Sequence, residues 1–303
     1  MNNGMKKRLE AELGAPGIAE KLASMAGSDF HSLMLEVYQQ RAKATWPAEL
    51  LEFYRKNRFV RPARVPIEIR LRLEQAALDS LPSSFTVLEL SPVAPLGNCS
   101  ALAGMSQDRI VSADRRLEVC ADPTNLLALE SAHQRRRSKD EVCRLAASSR
   151  VVRAQPLMAE HHTAHFRLWS MVTAGRLQGS FEVDALVEHL RFIVDYVQRL
   201  GQTGFSVGRP LIWLADWSGT LGDSVTEGLG DAECDVRFEP ERERAKGYYR
   251  KAAFRVDCPL NGQFMEIGDG GFTDWTAKLC SDRREGLLIS GLGMELLATT
   301  APS

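Results

Sequence analysis

The sequence predicts an α+β fold in which an antiparallel β-sheet is flanked by helices and preceded by a helical N-terminal extension. Its predicted strands occur in runs joined by hairpins, not in strict alternation with helices, and this favours antiparallel pairing. A hairpin over 251–271 has its turn near Asn261-Gly262. Apolar residues at three- and four-residue spacing before residue 80 are typical of helices. We therefore expect a helical extension over 1–80 and the sheet domain over 81–303.

The first predicted elements of the sheet domain follow directly after the extension. FTVLELSPVAP (85–95) alternates apolar and polar residues and is predicted to be a strand. A second strand is predicted to end at Cys120, after which Asp122 begins a helix as its N-cap, with a proline in the first turn. The charged stretch HQRRRSKDE (133–141) is expected to be a solvated helix end or a loop, since no aromatic residues are interleaved as in a nucleic-acid surface.

The second half of the chain supplies the remaining predicted elements. Ser180 is expected to begin the clearest helix and Gly201 to end it. Its apolar stripe consists of Val183, Leu186, Val187, Leu190, Val194 and Val197. Strands are predicted over 150–156, 165–175 and 209–217, and GLLISGLGMELLATT is predicted to be a strand, a glycine turn and the start of a helix.

Composition and charge exclude several classes of function. A formal net charge of −1 and a pI of about 6.6 give no global basic field for nucleic acid. The six cysteines are widely spaced without a C-x-x-C pair, which argues against a zinc ribbon or a disulfide framework and for a reducing cytoplasm. No signal peptide is expected at the N-terminus, and no segment approaches the length of apolar residues that a membrane span requires.

Half of the six histidines lie in the stretch EHHTAHFR (160–167). A zinc-protease helix needs His-Glu-x-x-His, whereas Glu160 precedes the histidines here and Pro156 disfavours a helix. A third ligand would have to come from a distant part of the chain. We therefore favour a polar loop crossing a cleft over a metal site.

Arginines and glycines provide further candidate binding elements. A strand-borne arginine that faces a cleft, such as Arg153, can hold phosphate or carboxylate bidentately. Arg244 lies four residues before the tyrosine pair 248–249. A surface ion pair is the alternative for either arginine. The glycines of 268–271 and 290–297 match neither a P-loop nor a dinucleotide fingerprint, and tight packing of strand against helix explains them equally well.

Taken in order, these segments resemble the catalytic core of class II aminoacyl-tRNA synthetases, nearest to the histidyl enzymes and their paralogues. RVVRAQPLMAEHHTAHFRLW resembles motif 2, with Arg153 at the motif arginine and Phe166 on the return strand. RERAKGYYRKAAFRV and MEIGDGGFTDW resemble the Arg-x-x-x-Tyr-Tyr and Gly-Gly-x-x-Asp segments of the histidyl enzymes. ADPTNLLALESA is similar to their acidic-x-Thr segment, and ISGLGMELL to motif 3. The resemblance covers roughly 85–297 and implies an antiparallel sheet in a homodimer.

The implied reaction is attack of an amino-acid carboxylate on the α-phosphate of ATP, with Mg²⁺, to give an aminoacyl adenylate and pyrophosphate. The resemblance assigns catalytic roles to Arg153, which would hold the α-phosphate and carboxylate, and to Arg244, which would neutralise charge at the α-phosphate. It places Asp122, Thr124, Tyr248, Tyr249, Gly270 and Gly271 at the substrate, and Arg153, Gln155, His162, His165, Phe166 and Glu295 at the nucleotide. From the residues alone, a helix N-cap for Asp122 and core packing for the tyrosines stay open.

Departures from the family pattern limit what the resemblance implies. Motif 3 ends in Glu295-Leu296, so the arginine for the γ-phosphate is missing, and the adenine-reading acidic residue is Gln155. Leu168 and Val172 stand where histidyl enzymes carry polar substrate contacts, so we do not expect histidine recognition. The chain stops soon after motif 3, and no anticodon-binding domain or anticodon-dependent tRNA binding is expected.

Two hypotheses of different classes follow. The first is a stand-alone ligase that activates an amino acid other than histidine with ATP and transfers it to a non-standard acceptor such as a carrier protein. The second is a catalytically degenerate binding or regulatory paralogue that acts on a partner enzyme, like the regulatory subunit of ATP phosphoribosyltransferase. Retention of Arg153 motivates the first, and replacement of the motif 3 arginine by Leu296 motivates the second.

Overall fold

A computed structural model describes residues 3–156, 163–243 and 245–302 of the 303-residue chain. Within these residues, eight strands form a central sheet in the order β1-β5-β6-β11-β10-β9-β7-β8. Three short strands form a second sheet in the order β2-β4-β3. The strands are β1 (Thr86–Val87), β2 (Val93–Pro95), β3 (Ser112–Ala113), β4 (Leu117–Val119), β5 (Cys143–Val152), β6 (His165–Arg176), β7 (Leu211–Asp216), β8 (Asp235–Phe238), β9 (Arg250–Leu260), β10 (Gln263–Thr273) and β11 (Glu285–Gly293).

Helices cover both faces of the central sheet and make up most of the N-terminal region, as the α+β prediction requires. The helices are α1 (Asn3–Glu12), α2 (Ile18–Ser24), α3 (Gly27–Lys43), α4 (Pro47–Lys56), α5 (Ile67–Ser80), α6 (Pro123–Arg135), α7 (Phe181–Gln202), α8 (Gly222–Leu229), α9 (Trp275–Cys280) and α10 (Met294–Ala298). In the described residues, no helix has the length and apolar character needed to cross a membrane.

The central sheet is antiparallel from β5 across to β7, and its two outermost pairs are parallel. β1 pairs with β5 in parallel, and β8 pairs with β7 in parallel. The predicted hairpin connects β9 to β10, and Asn261 and Gly262 occupy its turn with φ angles of 50° and 82°. Two consecutive residues with positive φ are what a tight hairpin turn of this hand requires, which explains the Asn-Gly pair. The predicted fold class is confirmed, with parallel pairing added at the two edges.

The segment 85–95 does not form one strand as predicted. Its ends join different sheets, β1 in the central sheet and β2 in the small one. The cause lies in the fully buried carboxylate of Glu118 on β4, which accepts backbone N–H bonds from Gly97 at 3.0 Å and Cys99 at 2.8 Å. These bonds anchor the chain after β2 to the small sheet and draw it away from the central one.

Two hydrophobic clusters lie on opposite faces of the central sheet. On one face, α7 buries Leu186, Leu190 and Val194 of its predicted stripe against the sheet. α5 packs beside α7 and buries Leu73 there. On the other face, α6 and α9 pack over the sheet through a cluster that includes Leu127, Trp275 and Tyr249. The candidate site lies on the α6 face.

The charged stretch 133–141 was predicted to be solvated, and the structure corrects this for Arg135. The Arg135 side chain is only 1% exposed and forms an ion pair with Glu285, the first residue of β11. Its guanidinium also donates to the carbonyl oxygen of Lys139 at 2.7 Å. Because a buried guanidinium needs partners for its N–H groups, Arg135 fixes the end of α6 and the loop after it.

Candidate functional site

A cavity of about 450 Å³ opens on the α6 face of the sheet, and we call it the Arg153 cavity. Strands β6, β10 and β11 form its floor, and the N-terminal end of α6 forms one wall. Its lining residues include Met105, Asp122, Thr124, Arg153, Leu168, Ser170, Tyr248, Tyr249, Glu266, Ile267, Asp269, Ile289 and Gly291. The structure thus brings together Arg153, Asp122, Thr124 and the tyrosine pair, which were selected from distant segments of the sequence.

Arg153 lies at the wall of this cavity and directly follows β5, one residue beyond the strand on which we predicted it. Its backbone N–H still continues the pairing with a bond to Ala164 O at 2.9 Å. The side-chain Nε donates to Ala121 O at 2.9 Å, and the guanidinium lies over the Phe166 ring at 5.1 Å from its centroid. Nη2 lies 3.6 Å from Asp122 Oδ2. These contacts hold the guanidinium in one position at the cavity wall.

Asp122 is the N-cap of α6, as predicted from the sequence. Its Oδ1 accepts from the backbone N–H of Thr124 at 3.0 Å and from the Thr124 hydroxyl at 2.7 Å. Its other oxygen, Oδ2, is the one that faces Arg153. The capping role and a role in the cavity are therefore compatible, because they use different oxygens of the same carboxylate.

The two tyrosines are packed and also line the cavity. The Tyr248 ring meets Tyr249 and Trp275 edge to face, at centroid distances of 4.9 and 5.6 Å. Burial raises the pKa of both phenols above its ordinary value, so both hydroxyls stay protonated and can act as donors. The Tyr249 hydroxyl donates to Asp269 Oδ2 at 3.2 Å.

Asp269 is a lining residue that our sequence analysis missed. Burial, and after it the negative charge of Glu266, raises the pKa of the Asp269 carboxyl. We had considered the surrounding stretch GDGG for its glycines alone. The alternation of side chains along β10 could have identified Asp269, because it shares a face of the sheet with Gly271, which packs against Tyr249.

Gly270 and Gly271 lie in β10 outside the cavity lining, and close packing explains both. A Cβ on Gly270 would lie 2.5 Å from Ile289 O, and one on Gly271 would lie 2.6 Å from the Tyr249 ring. Gly271 thus acts on the cavity indirectly, since the missing side chain lets the Tyr249 ring lie against the strand.

A second cavity of about 530 Å³ adjoins the first, and we call it the Phe166 cavity. The two share Glu266 and Gly293 in their linings. Three residues that we assigned to the nucleotide, Gln155, Phe166 and Glu295, line the Phe166 cavity, together with Pro156, Thr163, Arg167, Phe264, Met265, Leu296 and Thr299. The two halves of the predicted site therefore line two neighbouring cavities.

Charge in the Phe166 cavity is poorly matched to a triphosphate. Glu295 lies 3.1 Å from Arg150 Nη2 and accepts from the backbone N–H of Arg167. Among the described lining residues, Arg167 alone is cationic, and it is ion-paired with Glu74 at 3.0 Å. Leu296 adds only apolar surface. Within the described part of the chain, no group of three or more His, Cys, Asp or Glu side chains is placed to hold a metal ion. The one guanidinium of the described lining is already ion-paired, so it is a poor match for the charge of a triphosphate.

Two cations at the start of β9, which are candidates to replace the missing motif 3 arginine, are engaged elsewhere. Lys251 forms an ion pair with Glu182, and Arg250 lies 3.3 Å from Asp274. Neither Lys251 nor Arg250 is part of the lining of either cavity.

The predicted histidine contacts divide into two groups. Both ring nitrogens of His165 have protein partners, since Nε2 lies 2.6 Å from Arg61 O and Nδ1 lies 3.0 Å from Arg150 Nη1. His165 is 9% exposed and is absent from both cavity linings. His162 and the rest of 157–162, together with Arg244, lie outside the described residues.

Comparison with solved structures identifies the architecture. The apo structure of S. aureus histidyl-tRNA synthetase matches with a TM-score of 0.59 and 15% identity, over 79% of this chain and 68% of that one. An ATP phosphoribosyltransferase regulatory subunit/histidyl-tRNA synthetase from Bacillus halodurans C matches with a TM-score of 0.62 and 12% identity, over 82% of this chain and 83% of that one. At such low identity the likeness shows the fold alone.

Neither a scan against protein-family models nor a search of curated protein sequences returned a match. The fold is that of a class II aminoacyl-tRNA synthetase-like core, as the order of the sequence motifs predicted.

Proposed function

On the premise of a class II synthetase-like core, we propose that the protein binds a free amino acid, or a small molecule resembling one, in the Arg153 cavity. One observation carries this proposal, which is that a guanidinium and carboxylates line the same cavity. An α-amino acid carries one carboxylate and one ammonium group, and it is complementary to such a pair of charges.

The contacts of Arg153 and Asp122 support this pairing in detail. A guanidinium has five N–H donors, and the described contacts of Arg153 engage its Nε and Nη2. The N–H groups on Nη1 have no such partner among the described residues and can receive a substrate carboxylate. Asp122 uses Oδ1 for the helix cap, which leaves Oδ2 beside Arg153 as an acceptor for the substrate ammonium group.

Isothermal titration calorimetry with each of the common amino acids tests the proposal. We expect one amino acid or a small group of them to bind. Arg153→Ala should remove this binding, because the carboxylate of the bound amino acid would lose its charged donors. Arg209→Ala is the matched control, since Arg209 is an exposed arginine paired with Asp235 on the β8 edge. Failure of every amino acid to bind at millimolar concentration would refute the proposal.

An ATP-dependent ligase is the second candidate function, and the adjoining Phe166 cavity favours it. A second ligand in that cavity would meet the amino acid at Glu266 and Gly293. An acceptor such as a carrier protein would then take the activated amino acid. Since the loss of one charge-stabilising donor slows a step by roughly 10²–10³, we expect slow ATP–pyrophosphate exchange at most.

A binding or regulatory role that acts on a partner enzyme is supported by the engagement of Glu295 and by Leu296 in the motif 3 position. Amino-acid binding without pyrophosphate exchange across the full panel is the outcome that favours this role over the ligase. Light scattering of the same purified protein measures whether it forms the expected homodimer.

A further inference from the structure

We propose that the Arg153 cavity selects an amino acid with a basic side chain, whose cationic head lies over Gly291 between Asp269 and Ser170. This inference rests on the proposed function, because it names the class of amino acid that the same cavity takes. The basic side chain would bind at the floor of the cavity, whereas the α-carboxylate and α-ammonium groups would bind at its wall.

The floor is built by one row of residues across three strands. Asp269 on β10 lies directly opposite Gly291 on β11, and Gly291 lies directly opposite Ser170 on β6. Residues directly opposite each other in a sheet project their side chains to the same face. Asp269 and Ser170 therefore both project into the cavity, and two strand spacings, about 10 Å, separate their backbones.

Gly291 leaves open space between these two side chains. A Cβ built on Gly291 would meet its nearest neighbours, Trp169 O and Ser170 Oγ, at 3.9 and 4.0 Å, which is ordinary contact. An ammonium group placed above Gly291 comes within hydrogen-bond reach of a carboxylate on one side and a hydroxyl on the other. A longer residue at this position would occupy that volume.

Ser170 provides an independent sign of a ligand. Its side chain is fully buried, and its Oγ has no hydrogen-bond partner among the described residues although it lines the cavity. A buried hydroxyl without a partner costs about 1–3 kcal/mol, so such groups in native proteins call for an explanation. A donor on the ligand that reaches across Gly291 would satisfy this oxygen.

The charge of the lining points to a cation in particular. Its described members include three carboxylates, Asp122, Glu266 and Asp269, and one guanidinium, that of Arg153. An amino acid with a neutral side chain has no net charge, so its binding would leave this excess of negative charge unchanged. An additional positive charge beside Asp269 would offset the desolvation of its carboxylate, which is the main cause of its raised pKa.

Calorimetric titration with L-lysine, L-ornithine and L-arginine tests the inference, with L-norleucine and L-glutamate as comparators. Norleucine keeps the aliphatic chain of lysine and lacks the terminal nitrogen. We expect the preferred basic amino acid to bind about tenfold tighter than norleucine or more, as a charged hydrogen bond would give. Asp269→Asn should remove most of that difference, because asparagine keeps an acceptor for Tyr249 and loses the charge.

Two further variants keep the test independent of folding. Gly291→Val should weaken the binding of amino acids with long side chains. Since a Cβ at this position meets only ordinary contacts, we expect the strand to form, and a melting curve measures whether the variant is folded. Ser170→Ala should weaken the basic ligand several-fold and leave norleucine unchanged. Asp235→Asn is the matched control, since Asp235 is an exposed carboxylate on β8.

The outcomes separate this inference from the proposed function. If a neutral or acidic amino acid binds best, and its binding depends on Arg153 but is unchanged in Asp269→Asn, the inference is overturned and the proposed function stands. If no amino acid binds, both are overturned. Preference for a basic amino acid that is lost in Asp269→Asn supports both.

Discussion

Arg135 and Glu285 are 150 residues apart in sequence and form a buried ion pair that ties the end of α6 to the start of β11. Arg135 Nη2 donates to Glu285 Oε1 at 2.9 Å, and the two side chains are 1% and 3% exposed. Since α6 also carries Asp122 at its other end, this pair fixes the helix that positions one wall of the Arg153 cavity.

Removing one charge of this pair should destabilise the protein strongly. Glu285→Gln leaves a buried guanidinium without its counter-charge, and we expect a loss of about 3–5 kcal/mol in the free energy of unfolding. Glu243→Gln, in the exposed pair with Lys246, is the matched control and should change stability by less than about 0.5 kcal/mol. Urea denaturation followed by fluorescence measures both, and equal effects of the two variants would contradict the assignment.

Two substitutions of Asp122 should separate its two roles. Asp122→Ala removes the N-cap of α6 and should lower the free energy of unfolding by about 1 kcal/mol. Asp122→Asn keeps a capping oxygen and should leave stability close to that of the unmodified protein, yet weaken amino-acid binding because the charge beside Arg153 is lost. Denaturation and calorimetry on both variants check this, and unchanged binding in Asp122→Asn would limit the residue to capping.

His189 should make stability depend on pH. It is fully buried on α7 between Thr173 Oγ1 at 3.0 Å and Ser290 Oγ at 2.8 Å, and burial lowers its pKa to about 3 from 6.5. A folded-state pKa below the unfolded one means that its contribution is fully present above pH 6.5 and is lost as pH falls towards 3. The expected slope approaches about 1.4 kcal/mol per pH unit below pH 6.5.

Denaturation midpoints at a series of pH values from 7.5 down to 5 measure this dependence. His189→Gln, which keeps groups for both hydroxyls and cannot be protonated, should have a flatter profile than the unmodified protein. Parallel profiles for the two proteins would show that another group is responsible.

Two glycines on neighbouring strands should respond in opposite ways to alanine. Gly270→Ala would place a Cβ 2.5 Å from the backbone oxygen of Ile289, and we expect a loss of about 1–3 kcal/mol in stability. Gly291→Ala meets only ordinary contacts and should leave stability unchanged or raise it by about 0.4–1 kcal/mol, through lower entropy of the unfolded chain. Thermal unfolding of the two variants distinguishes a packing glycine from one that opens space in the cavity.

Much of the fold was predictable because its signals are local. The stripe of α7, the capping aspartate of α6 and the Asn-Gly turn of the β9–β10 hairpin each specify an element within a few residues. The buried position of Arg135 depends on Glu285, which lies far away in sequence, and the split of 85–95 depends on Glu118. Such long-range partners are invisible to periodicity, so a buried arginine was taken for a solvated one.

The candidate site likewise contains residues that local motifs predict and residues that only the fold brings together. Arg153, Asp122 and the tyrosine pair lie in recognisable motifs, and the structure places them in one cavity. Asp269 belongs to no motif that we used, because its position in the cavity comes from the register of β10 against β11. His165 shows the converse, since its place in a motif suggests a nucleotide contact, whereas its two ring nitrogens lie against Arg61 and Arg150.

The N-terminal helices also have a kinetic consequence. α2, α3 and α4 bury no residue, whereas β6 and β11 lie in the middle of the central sheet. Segments with few buried contacts open by local fluctuation at a small fraction of the global unfolding free energy. Amide protons of α2–α4 should therefore exchange with deuterium orders of magnitude faster than those of the β6–β11 pair. The two cavities would then keep their shape while α2–α4 open and close many times.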